Sequence, residues 1–214
     1  MHAANRHYVP AFGRDVLLPL FDPFVKLLGA DRVRAKLLDE ARVQPGQRLL
    51  DLGCGTGTFA IAIKRKYQNV EVIGVDPDPK ALARALRKTE RAALSIQFDQ
   101  GFAEALPYLD GTFDHVFSTL MLHHLPTSVK RAALRQACRV LKPGGSLHLL
   151  DMAGDAPDER RRLPRWLHSR LHASDNSANA ILGMMRDAGF IDAKNYASDG
   201  LLAGLLVEYY SARR

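Results

Sequence analysis

Cysteine is nearly absent: Cys54 and Cys138 are the only two in 214 residues. They form no C-x-x-C pair and no metal-ligand spacing, which excludes a disulfide framework and a cysteine-held metal. Long apolar runs are missing too. Stretches such as LLAGLLV at 201–207 fall far short of the roughly 20 residues a spanning helix needs, so no membrane span is expected. The opening residues MHAANRHYVPAFGRD carry neither an apolar h-region nor a cleavage site, and the expected location is the reducing cytoplasm. No internal repeat or low-complexity segment occurs. What is present, 47% hydrophobic and 25% charged residues, is the composition of a soluble globular chain with one principal domain and modest additions.

The formal charge is +7, which raises the question of nucleic acid. Much of the excess is local: Arg160, Arg161, Arg162, Arg165 and Arg170 cluster, and Arg213 and Arg214 end the sequence. No aromatic residues interleave with them in the manner of a nucleic-acid module, so a solvated basic face is expected and nucleic acid is not the expected partner. Oligomeric state is left open.

From residue 47 short apolar strands alternate with stretches of helical period. RLLDL (48–52), VEVIGVD (70–76), SIQF (95–98), FDHVFSTL (113–120) and SLHLLD (146–151) read as strands. Helices are expected from about Gly57 to Tyr67, Pro79 to Ala93 and Pro126 to Leu141, the last stopped by Lys142-Pro143-Gly144-Gly145. Strands joined by helices of this length form a parallel sheet with right-handed crossovers. A further helix is expected around Ser177–Ala188, then strands near Asp192–Ala197 and Leu202–Tyr210 whose short connection suggests an antiparallel edge hairpin. The expected fold is α/β: a doubly wound, seven-stranded, mostly parallel sheet with helices on both faces. Residues 1–46 read as an amphipathic helical cap, 47–214 as the main domain, and 155–173 as a basic helical insertion carrying Trp166.

Ligands of such sheets sit beyond the carboxyl ends of the strands. There, after the first strand, lies LLDLGCGTGTFA, with Gly53, Gly55 and Gly57 at alternate positions and Asp51 two residues ahead. The dinucleotide fingerprint G-x-G-x-x-G needs Gly or Ala at position 58, where Thr58 stands, and no Gly-Lys-Ser/Thr ends the loop. Both common phosphate readings fail on spacing. D-x-G-x-G-x-G instead resembles the first motif of class I S-adenosylmethionine-dependent methyltransferases. That cofactor has no phosphate but carries an ammonium and a sulfonium, which suit a carboxylate at a strand end, while glycines admit a nucleoside close to backbone. Asp76, ending the second strand, stands where an acid would accept hydrogen bonds from ribose hydroxyls. The competing roles are a tight turn with no ligand for the loop, and a turn aspartate before Pro77 for Asp76.

The resemblance extends through residues 49–151. The order of motifs is similar to that of ubiquinone/menaquinone-biosynthesis-type enzymes, a small-molecule branch, although the likeness lies mainly in the cofactor half. It implies S-adenosylmethionine as cofactor, held by Asp51, Gly53, Cys54, Gly55, Thr56, Gly57, Asp76, Pro77, Gly101, Phe102, Ala103, Ser118 and Thr119. Position 102 departs from the family's usual Asp or Asn, since Phe102 cannot accept a hydrogen bond from the adenine amino group. Backbone groups of Phe102 and Ala103 would then read the base. RVLKPGGSLHLLD (139–151) also matches the family and is read as structural, without a catalytic role.

A sulfonium methyl is already electrophilic, so the protein's tasks are in-line positioning and exclusion of water, with a base needed only where the acceptor carries a proton. His123 and His124, just beyond the fourth strand, are the candidate bases; their alternative role is to pack beside the following helix. Tyr8 is a further candidate on the N-terminal segment. His168 and His172 lie four apart but lack a third ligand, so no metal is expected. Phe21, Phe24, Leu27, Trp166 and Leu167 with nearby arginines suggest a small apolar or aromatic acceptor. Two alternatives stay open: a nucleic-acid methyltransferase, opposed by Ser118-Thr119-Leu120-Met121 where Asp/Asn-Pro-Pro-Tyr/Phe would stand, and a catalytically silent cofactor-binding regulator.

Overall fold

The computed structural model describes residues 29–154 and 176–214. Seven strands form one sheet: β1 (Arg48–Leu52), β2 (Glu71–Asp76), β3 (Gln97–Gln100), β4 (Phe113–Thr119), β5 (Leu141–Met152), β6 (Ile191–Gly200) and β7 (Leu206–Arg213). Their order is β3-β2-β1-β4-β5-β7-β6, parallel from β3 to β5, with β7 antiparallel to both of its neighbours. This is the expected doubly wound sheet with its antiparallel hairpin at one edge. Strand order reverses between β1 and β4, which puts the binding crevice beyond their carboxyl ends.

Helices α1 (Ala30–Glu40), α2 (Thr58–Lys66), α3 (Pro79–Arg91), α4 (Thr127–Val140) and α5 (Ala178–Asp187) cover the sheet. Val33 and Leu37 of α1 and Phe59 and Ile63 of α2 pack with Leu49, Val72, Phe117, Leu150 and Tyr209 on one face. Leu134 and Ala137 of α4 and Ile181 and Met185 of α5 pack with Leu50, Val116, Leu149 and Tyr210 on the other. Burial on both faces explains why the parallel strands read as almost unbroken apolar runs. Local chemistry starts the helices where expected. Asp78 caps α3 by accepting the Lys80 amide at 2.8 Å, with Pro79 in the first turn, and Ser177 caps α5.

Both strands of the edge hairpin run three residues past their expected ends, to Gly200 and Arg213, and three strand starts differ from expectation by more than one residue. β3 lies two residues later than SIQF, at Gln97–Gln100, because its pairing runs in register from Ile73↔Gln97 to Asp76↔Gln100. β5 begins at Leu141, since the Pro143-Gly144-Gly145 turn stays within the strand while β4 slips register between Phe113 and His115. β7 starts at Leu206 because Leu202–Gly204 forms a 3-10 turn.

The expected boundary at residue 46 falls between α1 and β1. Of residues 1–46, α1 and the segment after it are described; α1 packs on the sheet and is tied to β6 by Lys36 Nζ–Asp199 at 2.8 Å and by Arg32 to the Gly200 carbonyl at 2.7 Å. Tyr8 and residues 155–173, including Trp166, His168 and His172, lie outside the described residues. The flanks of that second segment do meet: the Gly154 amide donates to the Asn176 carbonyl at 3.1 Å. No helix among the described residues is long and apolar enough to cross a membrane.

A polar pair is buried within the sheet. Gln47 Oε1 lies 3.1 Å from His115 Nε2, and His115 Nδ1 lies 3.1 Å from His148 Nε2. An amide oxygen only accepts, so His115 donates from Nε2, His148 donates to His115 Nδ1, and His148 Nδ1 is left without a partner. Both imidazoles are therefore neutral. Burial, reinforced by His115, lowers His148 to about 3, and burial lowers His115 as well. A histidine whose folded-state value lies below its unfolded value stabilises the fold above about pH 6.5 and loses that contribution as pH falls. The stability difference between wild type and His148→Phe should therefore shift against wild type by about 2 kcal/mol from pH 6.5 to 5. Urea unfolding at the two pH values measures it, and a pH-independent difference would contradict the neutral pair.

Candidate functional site

The site grows from the end of β1. Leu50 and Leu52 face α4 and α5, so Asp51 points to the α1–α2 face, a single acid in an apolar strand. Asp51 is 1% exposed, and neither carboxylate oxygen has a hydrogen-bond partner. Burial pushes its carboxyl up to about 7; Arg34 of α1 opposes the rise, Asp76 adds to it, and the Ala60 amide, which points at it without completing a hydrogen bond, opposes it weakly. A buried acid with both oxygens unanswered is costly unless a donor or cation completes it.

The loop that follows turns through left-handed backbone at Gly53, Gly55 and Gly57. Two different demands act there. At Gly53 a Cβ would stand 2.4 Å from Met121 Cγ, so the turn after β4 packs directly on the glycine loop. At Gly55 nothing lies within 4 Å of a Cβ position, so this glycine borders open space. Thr56 is buried with Lys88 Nζ 3.3 Å from its hydroxyl, and burial raises the Cys54 thiol well above its usual range.

Asp76, at the end of β2, staples two loops: Oδ2 accepts the Gly55 amide at 2.8 Å and Oδ1 the Asp78 amide at 2.9 Å. Burial raises its carboxyl, and those two amides restrain the rise. Pro77 follows, half-buried. Gly101 donates its amide to the Asp76 carbonyl at 3.2 Å, which brings the loop after β3 alongside. There the Phe102 carbonyl accepts the Ala105 amide at 3.0 Å, and Ala103 packs against the α4-side core. Ser118 and Thr119 end β4, paired beside Leu52 and Leu150 respectively; Ser118 is 2% exposed and its hydroxyl has no partner. The residues expected on the cofactor side therefore gather at the carboxyl ends of β1, β2, β3 and β4.

His123 and His124 lie on a 3-10 turn, Leu122–His124, directly after β4. Their rings are in contact, centroids 3.9 Å apart and tilted by 43° to each other. His123 is 5% exposed and bound by a residue that sequence reasoning left without a role: Asp151, at the end of β5. Asp151 accepts from His123 Nδ1 at 2.5 Å and from the His123 amide at 3.2 Å. The available signal was positional, since Asp151 ends a parallel strand just as Asp51 and Asp76 do. Arg34, opposite Asp51, has no such signal. Among the described residues no cluster of His, Cys, Asp and Glu could hold a metal ion.

Comparison with known proteins agrees with this geometry. Residues 49–145 match the family model described as a methyltransferase domain. Demethylmenaquinone methyltransferase of Thermus thermophilus is 38% identical over 138 residues, spanning 63% of this chain and 62% of the relative. The chain thus covers less than two thirds of that relative's length. Phosphoethanolamine N-methyltransferase 2 of Haemonchus contortus, solved with S-adenosyl-L-methionine, superposes with a TM-score of 0.70 at 17% identity over 86% of this chain and 52% of that one. The cyclase SpnF superposes equally well, with a TM-score of 0.69 at 22% identity over 86% of this chain and 81% of that one. At these identities the two structures share a fold, and a cyclase among them shows that the fold alone does not set the reaction. What narrows the assignment is the loop of alternate glycines flanked by two strand-ending acids, inside the matched segment. The segment that carries these features, residues 49–145, is the one similar to the methyltransferase domain.

Proposed function

We propose that the protein transfers the methyl group of S-adenosylmethionine in line to a small apolar or aromatic acceptor. The observation that carries the reading is Asp51. Its buried carboxylate, without a hydrogen-bond partner, fits the cofactor's ammonium, and the open space beside Gly55 fits a nucleoside lying across the loop. When bound, the cofactor would supply an electrophilic methyl carbon and a sulfur able to take up the departing electron pair. The chain does the rest. Asp76 has a free lone pair on each oxygen for ribose hydroxyls, the Ser118 hydroxyl reaches toward the methionine moiety, and backbone of Phe102 and Ala103 meets the base.

His123 Nε2 takes the acceptor's proton, with His124 beside it; Tyr8 remains a candidate on the acceptor side. That side is assigned to segments 1–46 and 155–173, which carry the apolar and basic residues outside the sheet. The small-molecule class is supported by relatives named for demethylmenaquinone and rifamycin methylation.

Calorimetry should detect S-adenosylmethionine or its demethylated product and not NAD; binding of neither would end the assignment. Labelled methyl transfer into metabolite extracts, followed by product identification, names the acceptor. Asp76→Ala should weaken cofactor binding by about 1–3 kcal/mol, the scale of lost charge-assisted hydrogen bonds. Unchanged affinity would remove Asp76 from the ribose site.

A further inference from the structure

The acid that ends β5 has no part in the scheme above, yet it is among the most enclosed groups in the molecule, 1% exposed. We infer that Asp151 is a positioning residue that locks His123 in the tautomer with its Nε2 lone pair free. The inference rests on the reading of His123 as proton acceptor.

The geometry is restrictive. Oδ1 of Asp151 accepts from His123 Nδ1 at 2.5 Å and from the Met152 amide at 2.7 Å, while Oδ2 accepts the His123 amide at 3.2 Å. An ionised carboxylate only accepts, so the ring must carry its proton on Nδ1. A neutral ring then has its lone pair on Nε2, for which no partner exists among the described residues. The ring and backbone of one residue are gripped by one carboxylate, so both the turn and the ring orientation are set together. The His124 ring lies 3.9 Å away between centroids. Burial alone would raise the Asp151 carboxyl, but His123, the Met152 amide and His124 bring it below the ordinary carboxylate range, so it stays ionised. An anion held there stabilises the imidazolium formed when Nε2 accepts a proton.

Nitrogen NMR of the 214-residue chain, labelled at histidine and assigned with His123→Ala, reads the tautomer without turnover. The expected spectrum of the neutral ring has a protonated Nδ1 and a bare Nε2; a protonated Nε2 overturns the inference. Asp151→Asn should lower turnover at least tenfold, leave cofactor affinity within about twofold, and move the acidic limb of the pH–rate profile to lower pH. Wild-type rate and profile in Asp151→Asn, with His123→Ala inactive, overturn the positioning role and spare the base. Full activity in His123→Ala with the Nδ1-protonated spectrum overturns the base instead, and leaves the hold on the ring standing. Should Asp151→Asn fail to fold, the wild-type spectrum decides alone.

Discussion

His123→Ala is expected to slow methyl transfer by about 10²–10⁴-fold, the range for removal of a positioned general base. Cofactor affinity should stay unchanged, because the imidazole lies on the turn after β4 and not among the residues that would hold the nucleoside. The loss belongs in turnover and not in acceptor binding, since proton transfer is made only as the new bond forms. It also depends on the acceptor. With a nucleophile whose proton is lost before binding, the variant should approach wild-type rate, and raising the pH should narrow the deficit for an ionisable hydroxyl. Steady-state kinetics on two acceptors of different acidity would test both statements. Equal rates for variant and wild type on a weakly acidic acceptor would reduce His123 to a packing residue.

Asp51→Asn is expected to act in opposite directions on binding and on the fold. Losing the anion opposite an ammonium should weaken cofactor binding by about 1.5–3 kcal/mol, roughly ten- to a hundredfold. The wild-type affinity should itself fall below pH 7, approaching tenfold per unit, because the acid titrates near 7 in the free protein and must ionise to bind. The variant's affinity should lack that slope. For stability the sign reverses. A carboxyl whose folded-state value is raised above its unfolded value costs the unliganded fold stability as pH climbs from about 4 to 7. The variant should therefore gain on wild type by about 1.4 kcal/mol per unit across that window. Calorimetric titration and urea unfolding, both repeated at pH 5, 6, 7 and 8, measure the two effects. Parallel stability curves would mean that Asp51 is solvated or already paired.

Much of this was legible in the residues because burial on two faces leaves little room for ambiguity. Strands such as LLDL and VIGV are apolar at successive positions, so a lone acid at the carboxyl end marks itself. Asp51, Asp76 and the glycine spacing were readable for that reason. β3 was placed two residues early because QFDQ is an outer, half-exposed strand whose polar residues give no apolar contrast. The start of β7 was misplaced because LLAGLLV is apolar throughout, while its first residues form a 3-10 turn. Asp151 was visible as a residue and invisible as a partner: its hold on His123 joins two strand ends 28 positions apart. That neither Asp51 oxygen has a hydrogen-bond partner is likewise a fact of three dimensions, set by the burial of the strand end.

The hydrogen bond from the Gly154 amide to the Asn176 carbonyl bears on how such a protein changes over generations. It joins the two residues that flank 155–175 just beyond β5, so the length of chain between them is decoupled from strand register. Insertions or exchanges between residues 155 and 175 would cost the sheet only a slowly growing loop entropy. On the proposed assignment of that segment to the acceptor side, acceptor preference can drift there while the strand ends proposed to hold the methyl donor are inherited unchanged. Grafting the corresponding segment from a relative should yield chimaeras that retain donor affinity and differ in what they methylate.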